Sequence, residues 1–401
     1  MAYIWTMIKY ELPRKWMSYD GLSLLTELAD AKAAVMSLTN MPFQRSWAEK
    51  LQGMQLKREV AGTSRIEGAE FTDVELDEAL KDATPEDLFT RSQKQARAAK
   101  LTYQWIALLP EDQPIDKALI LETHRKIIIG ADDDHCPPGR LRTTDQNVTF
   151  GAPRHRGADG GTECKSAFDG LVGAIQREFK DHDILIQALA MHYHFASIHP
   201  FLDGNGRTAR ALEALVLQRA GLRDSLFIAM SNYYYDEKVQ YLNTLSASRA
   251  ANHDLTPFLQ FGLKGIALQC QRLFKEIRTH LGKALFKTVM YDLFNRLKNT
   301  RKRIIAERQI KMLNLLLEED DMTASAFFQR IDREYESLAV PAQALTRDLN
   351  ILLNLGAMEA YQLDDRWWFK LNLDWATKIT DTTFFEEIKK LPKAKTYPFL
   401  N

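Results

Sequence analysis

The chain has 401 residues, with 53 Lys plus Arg balancing 53 Asp plus Glu, and it is 45% hydrophobic and 26% charged. That length supports a large core and two or three domains, and the even charge balance excludes a global affinity for nucleic acid, membrane surfaces or polyanions, so any such binding must be local. Three widely spaced cysteines, Cys136, Cys164 and Cys270, show no metal-type pairing and leave one unpaired, which points to a reducing cytoplasm.

The opening MAYIWTMIKYELPRKW carries charges and a proline where a signal peptide needs an unbroken apolar run. No later stretch reaches the roughly 18 apolar residues of a membrane span. Residues 1 to about 100 read as helical after an irregular, aromatic-rich start, in which Tyr3, Trp5, Trp16 and Trp47 are packing residues or a partner surface. One helix is expected from Leu22 to about Ser37 and another from Gln44 into REVAGTSRIEGAEFTDVELDEAL. The spacing predicts further helices over Arg91–Leu109, closed by Pro110, and from Ile115, where His124 packs or faces water. The next segment, ADDDHCPPGRLRTTDQNVTFGAPRHRGADGGTE, is rich in Gly, Pro and Asp. Within it Arg140–Gly151 alternates enough to predict a small hairpin, and GAPRHRGADGGTE reads as a mobile linker or a gate.

A helix from Lys165 leads to another over Asp183–Ile198, and then comes HPFLDGNGRTAR, His199–Arg210, opening a helix that stops at Gly221. The first N–H groups of a helix are unpaired and its dipole end is positive, a ready site for phosphate oxygens. Gly204 and Gly206 clear the approach; Arg207 and Arg210, three apart, share a helix face and can grip one polyphosphate. Asp203 is a hard ligand suited to Mg²⁺, and His199 is the one side chain here that titrates near neutrality, as a general base requires. Each part alone has a bland reading, since a histidine beside an apolar helix usually packs, GNG is an ordinary turn, and paired arginines are usually solvated. A structural turn has no need of all of them together. His192 and His194 are two apart, point to different sides of the helix and match no zinc spacing, so they are not read as a metal site.

The stretch matches H-x-F-x-[DE]-G-N-G-R-x-x-R at every specified position and so resembles the signature of Fic domains. The resemblance implies a mainly α fold, a Fic-type helical core with a β-hairpin flap, and transfer of AMP from ATP onto a hydroxyl of a target protein. It assigns His199 as base, Asp203 to Mg²⁺, and Gly204, Asn205, Gly206, Arg207 and Arg210 to the phosphates. YIWTMIKYELPRKW is similar to the region preceding the core in one subset of the family. TSRIEG, Thr63–Gly68, resembles the family's inhibitory motif [ST]-x-x-x-E-[GN], which implies that Glu67 reaches Arg210 and fills the space of the ATP γ-phosphate; otherwise Glu67 is a solvated helix carboxylate. Arg142, Thr143 and Thr144 match the arginine followed by threonines that the family's target-holding flap often contains, and the resemblance assigns Val148, Thr149 and Phe150 to that flap. The family's adenine-bordering aromatic pair corresponds to Tyr241 and Leu242, a departure that bears on base selectivity. Tyr233 and Tyr234 are read as packing.

The family-like core closes with a helix over Asp254–Cys270, followed by a linking helix over about Gln271–Lys302 that carries the basic run KNTRKR, Lys298–Arg303. Beyond it three helices and two strand-like runs around Asp364 and Asp365 resemble a winged helix, with Pro341–Leu355 as the recognition-type helix. Arg347 is that helix's one clear cation, with Gln343, Thr346 and Asn350 beside it, which favours dimerisation or target recruitment over DNA reading. The expected organisation is residues 1–105 as an N-terminal helical region with the inhibitory motif, 106–275 as the Fic core, 276–304 as the link and 305–380 as the winged helix. The expected activity is a self-inhibited protein adenylyltransferase using ATP and Mg²⁺ on a Tyr, Thr or Ser hydroxyl of an unnamed target and of itself, without membrane contact. Three alternatives stay open: removal of AMP from a modified protein, a cytidine diphosphate donor, and a DNA-binding regulator with a nucleotide-sensing core.

Overall fold

Helices dominate the chain, as the 3.6-residue spacing of its apolar positions dictates. The computed structural model describes residues 8–41, 45–81, 88–151, 154–222, 227–297 and 300–389. Tyr3 and Trp5, the Trp47 side chain and the side chains of Lys298–Arg303 lie outside the described residues. The chain divides into two units, Met1–Phe274 and Lys275–Asn401.

The first unit contains α1 (Leu25–Thr39), α2 (Arg45–Ile66), α3 (Asp73–Leu80), α4 (Arg91–Ala107) and α5 (Lys117–Ile128). A two-stranded sheet of β1 (Thr149–Phe150) and β2 (His155–Arg156) follows, then α6 (Thr162–Gln176), α7 (Ile184–Ile198), α8 (Asn205–Arg219), α9 (Met230–Asp236), α10 (Lys238–Ala250) and the start of α11 (Thr256–Asn295). At the centre α7 packs along α8. Twelve of the fifteen residues of α7 are buried, from Leu185 to Ile198, as expected of a helix that is apolar nearly all round. Asp183 starts it, its carboxylate accepting from the Leu185 N–H at 3.0 Å.

Two expectations need correction. The hairpin is not Arg140–Gly151: Phe150 pairs with His155 and Thr149 with Arg156, so the second strand lies in the glycine-rich segment read as mobile. That segment is packed tightly, and a Cβ on Gly160 would stand 2.1 Å from the Thr143 carbonyl oxygen. Ile8 extends the sheet, accepting from the Arg156 N–H at 2.9 Å and donating to the Arg154 carbonyl at 3.3 Å. The second correction is α11, which runs unbroken where a core helix and a separate linking helix were expected to meet. Nothing at Cys270–Gln271 terminates it, since neither Gly nor Pro stands there.

Trp16 packs edge-on against His194, with centroids 5.0 Å apart, and its carbonyl accepts from His194 Nε2 at 2.6 Å. His192 is also buried, between Glu213, which contacts Nδ1, and the Tyr241 hydroxyl, 2.9 Å from Nε2.

The second unit holds the rest of α11, then α12 (Thr300–Glu318), β3 (Asp321–Thr323), α13 (Ala324–Ile331), α14 (Pro341–Asn354), β4 (Met358–Leu363), β5 (Arg366–Leu371), α15 (Trp375–Lys378) and α16 (Asp381–Lys389). Its antiparallel sheet has the order β3-β5-β4, so a strand absent from the sequence reading joins the expected pair. Asp364 and Asp365, at φ 48° and 59°, make the β4–β5 turn, where Asp tolerates the left-handed region. The fully buried Asp348 ties α14 to α12, accepting from Arg308 Nε at 2.9 Å and from the Tyr335 hydroxyl at 3.1 Å.

In the first unit α2 lies directly on α9. A Cβ on Gly62 would stand 2.4 Å from the Ser231 carbonyl carbon, and the buried Glu59 carboxylate accepts from the Ser231 N–H at 2.8 Å and the Tyr103 hydroxyl at 2.6 Å. Burial pushes the Glu59 carboxyl up to about 7, against those hydrogen bonds. Gly62→Ala should therefore destabilise this unit by about 1 to 3 kcal/mol through overpacking against backbone. Thermal unfolding checks this, and an unchanged Tm would show that the α2–α9 contact is looser than described.

Candidate active site

The loop from His199 to Gly204 joins the two central helices, and both of its ends are left-handed, His199 at φ 53° and Gly204 at φ 71°. A left-handed histidine is costly, so the surroundings must hold it. Arg142, only 2% exposed, staples the loop, donating from Nε to the His199 carbonyl at 2.8 Å and from Nη2 to the Ala158 carbonyl at 2.5 Å. Its own N–H donates to the Pro200 carbonyl at 3.0 Å. The Asn205 side chain spans Phe201, accepting from its N–H and donating to its carbonyl, both at 2.9 Å. The Asn205 side chain, expected on phosphate, is instead tied at both its oxygen and its nitrogen to the Phe201 backbone and shapes the loop. His124 also supports the loop, stacked on Phe201 at 3.5 Å. Its Nδ1 accepts from the Gly139 N–H at 2.9 Å, so Nε2 donates to the Asp203 carbonyl at 3.1 Å.

His199 donates from Nδ1 to the Ala196 carbonyl at 3.0 Å, which leaves Nε2 as the lone-pair nitrogen. Phe150 of β1 lies face to face on the imidazole, with centroids 3.9 Å apart and planes within 8°. Burial lowers the His199 pKa to about 4, against the Ala196 hydrogen bond and the nearby Glu67 charge, so the ring is neutral at physiological pH.

Asn205, Gly206 and Arg207 are the first helical residues of α8, and their N–H groups have no partner in the preceding turn. Glu67 sits over this end. Its Oε1 would be 2.3 Å from a Cβ on Gly206, and it accepts from Arg210 Nη2 at 2.5 Å. A carboxylate oxygen thus stands against the bare backbone of a helix N-terminus, as a phosphate oxygen would. Thr63 completes the grip on Arg210, its hydroxyl accepting from Nε at 2.9 Å and its carbonyl from Nη2 at 3.2 Å. Burial raises the Glu67 carboxyl, but the charges of Arg210 and then Arg207 outweigh it and hold the group below the usual range.

The two motif arginines turn to different partners. Arg207 donates from Nη1 to Asp132 at 2.6 Å, and both side chains are buried. Asp203 lies beside them, its Oδ1 accepting from the Gly204 N–H at 2.6 Å and from Arg207 at 3.3 Å, and its Oδ2 from His135 at 2.9 Å and Arg91 at 3.3 Å. Burial raises the Asp203 carboxyl, but Arg207 and His135 lower it further, so it is ionised. Ligand atoms of Asp132, His135 and Asp203 all lie within 4.8 Å of one another. Asp132 is nevertheless already neutralised, with Oδ1 held by Arg91 and Gln95 and Oδ2 by Arg207. Asp203, with its side chain 31% exposed, is the carboxylate that fits a hard cation.

The expected adenine pair is split. Tyr241 is buried in the core, stacked on Tyr234 at 4.7 Å with its hydroxyl on His192, so it is corrected from a base contact to a packing residue. Leu242 instead lines a small cleft of about 40 Å³ with Phe150, His155, Ala196, Leu245 and Arg249. Of the flap residues, Val148 accepts from the Gly157 N–H at 3.2 Å, and Thr149 and Phe150 form β1. Asp132, Arg91 and His135 were missed in sequence, whereas His124, read as packing or facing water, is buried against Phe201. The acidic run ADDDH was visible, but nothing local tied it to Asp203.

The fold and site together define a helical unit with a neutral imidazole beside a phosphate-type helix N-terminus that a carboxylate occupies. Residues 114–217 match the model of the Fic/DOC family, so this stretch of the chain is a Fic domain. The chain is 33% identical over 165 residues to the protein adenylyltransferase Fic of Nematostella vectensis, covering 40% of this chain and 34% of that protein. It is 29% identical over 163 residues to the protein adenylyltransferase fic-1 of Caenorhabditis elegans, covering 40% and 29%. It thus spans about a third of the length of the curated relatives it matches. A Fic family protein from Desulfovibrio desulfuricans shares the fold, with a TM-score of 0.56 at 16% identity over 90% of this chain and 98% of that one. Among the described residues no helix is long and apolar enough to cross a membrane.

Burial lowers His124, His155 and His199 to about 4 and His194 to about 3, whereas unfolded histidines titrate near 6.5. Between pH 6.5 and 4 the unfolded chain binds protons that the folded one refuses, so stability should be full above about 6.5 and fall as the pH drops. Thermal unfolding across that range checks the sign; a Tm that rises on acidification contradicts neutral burial of these rings.

Proposed function

We propose that this protein transfers AMP from ATP to a Tyr, Thr or Ser hydroxyl of a target protein and of itself, and that Glu67 restrains it. The observation that carries this reading is the position of Glu67 Oε1, against Gly206 and on Arg210, where an ATP phosphate oxygen would otherwise bind. Its curated relatives are named protein adenylyltransferases, which supports the activity.

His199 Nε2 takes the hydroxyl proton as the oxygen attacks the α-phosphorus, and pyrophosphate leaves. Backbone N–H groups at Asn205 and Gly206 offset charge developing on the α-phosphate. Arg210 holds the outer phosphates once Glu67 gives way, and Arg207, fixed by Asp132, presents its remaining N–H groups to them. Asp203 would hold Mg²⁺, which when bound neutralises phosphate charge. The edge of β1 offers backbone groups to an extended target segment, and Leu242 leaves the base edge apolar but not aromatic. Positioning and electrostatics supply most of the acceleration, with the base contributing about 10²- to 10⁴-fold.

The restraint is reversible on energetic grounds. Arg210 is buried, but the Glu67 side chain is 34% exposed. One hydrogen bond to a charged group is worth about 1.5 to 3 kcal/mol net, so its loss shifts a population by roughly ten- to a hundredfold.

The second unit, read as a winged helix, serves a second copy of the chain or the target better than DNA. Arg347 lies 3.6 Å from the buried Asp348, and the wing tip carries Asp364 and Asp365, which repel a phosphate backbone.

Label transfer from α-labelled ATP tests the reading. His199→Ala should abolish it and Glu67→Gly should raise self-labelling by about ten- to a hundredfold. Undiminished labelling by His199→Ala would sink the mechanism, and an unchanged signal from Glu67→Gly would remove the brake. Incubation of the AMP-modified target with wild type separates transfer from AMP removal, and labelled CTP or a cytidine diphosphate donor in place of ATP tests the choice of base.

A further inference from the structure

The geometry points to Arg91, outside the motif on the first turn of α4, as a further nucleotide-binding residue that engages the β-phosphate beside Asp203. The inference rests on the proposed reading of His199–Arg210 as a site for magnesium-bound nucleotide.

Three observations carry it. First, the Arg91 guanidinium reaches the centre of the site, with Nη2 3.3 Å from Asp203 Oδ2 and 3.2 Å from His135 Nε2. Second, it is anchored from behind, because Nε donates at 2.6 Å to the fully buried Asp132, the carboxylate that also fixes Arg207. Asp132 therefore sets two guanidinium groups on neighbouring faces of the same site. Third, Arg91 is 58% exposed while Arg207 is 2% exposed, so Arg91 is the member of the pair that incoming ligand meets. Gln95, one turn along α4, donates to the same Asp132 carboxylate at 3.0 Å, which holds the anchor to the helix.

Arg91 and a hard cation want the same Asp203 oxygen. Were Asp203 taken by Mg²⁺ and its nucleotide, Arg91 would keep Asp132, whose Oδ1 lies 2.6 Å from both Nε and Nη2, and its remaining N–H groups would be left for a new acceptor. Phosphate oxygens brought in with the metal then lie within reach, and a planar guanidinium suits them. The contact would lie beside Asp203, away from the helix N-terminus that would hold the α-phosphate, so it is expected to require a diphosphate and not a monophosphate. It is also partly solvated, which caps its worth at the lower end for a charged hydrogen bond, about five- to twentyfold in affinity.

Direct binding distinguishes this from a strut that merely supports Asp132. The full chain carrying Glu67→Gly is titrated calorimetrically with Mg·ADP and with AMP, alone and combined with Arg91→Ala or Arg91→Lys, and Tm is recorded for each. The expected result is a five- to twentyfold loss of Mg·ADP affinity in Arg91→Ala, an unchanged AMP affinity and partial recovery in Arg91→Lys. Equal Mg·ADP affinity in the presence and absence of Arg91 overturns the inference, as does a parallel loss of ADP and AMP binding, which would mark a structural strut. If the Glu67→Gly parent itself binds neither nucleotide, the underlying nucleotide-site reading fails, and this inference fails with it.

Discussion

The site depends on one ion pair, Arg210 with Glu67, whose halves lie far apart in the chain, one inside α8 and the other in the turn after α2. Arg210 is buried, and a buried guanidinium without a partner would be costly. Burial favours the neutral guanidinium, but Glu67 more than compensates and raises the group above its ordinary range. Thr63 supplies the other two contacts, so the arginine is held by two oxygens of α2 and one from the turn that follows it. Thr63 thus holds the guanidinium from the buried side through Nε and Nη2, while the part-exposed Glu67 carboxylate meets Nη2 alone.

Asp132 and Arg207 make the contrasting pair. Both side chains are withdrawn from water, and removing Asp132 would leave the buried Arg207 with only the longer contact to Asp203. The two motif arginines thus have different acceptors, one fully buried and one part-exposed, although they are three residues apart on one helix. The difference lies in where each acceptor sits, on a loop packed into the interior for Asp132 and at the exposed end of α2 for Glu67. The tight seam between Gly62 and the Ser231 backbone then matters, because it fixes the height at which Glu67 emerges over α8.

The part of the site confined to twelve consecutive residues was legible in the sequence, since helix starts, glycines and charge types are local signals. The pairing of TSRIEG with Arg210 was legible only through resemblance, and the structure places Thr63 and Glu67 on that arginine. What escaped was whatever depends on distant packing. Arg91, His124 and Asp132 come to Asp203 and Arg207 from a helix, another helix and a loop, and no spacing rule links them. The flap failed in a different way: a two-residue strand inside GAPRHRG is too short for alternation to register, and the glycines that follow, Gly160 and Gly161, which read as looseness, lie against Thr143 and Thr144. Tyr241 was misplaced because a corresponding position does not specify which way a side chain faces; its hydroxyl is needed by the buried His192. The unbroken α11 shows the converse error, a boundary inferred from family extent where the local sequence had no stop signal.

The stacking of Phe150 on His199 has a geometric corollary. The basic lone pair of an imidazole lies in the plane of the ring, so a partner lying on its face leaves that lone pair open while resisting rotation of the ring about its bond to Cβ. Phe150 belongs to β1, so the register of the β1–β2 pair also sets the ring: a shift of that strand by one residue, which turns every side chain to the opposite face, would take Phe150 off the imidazole.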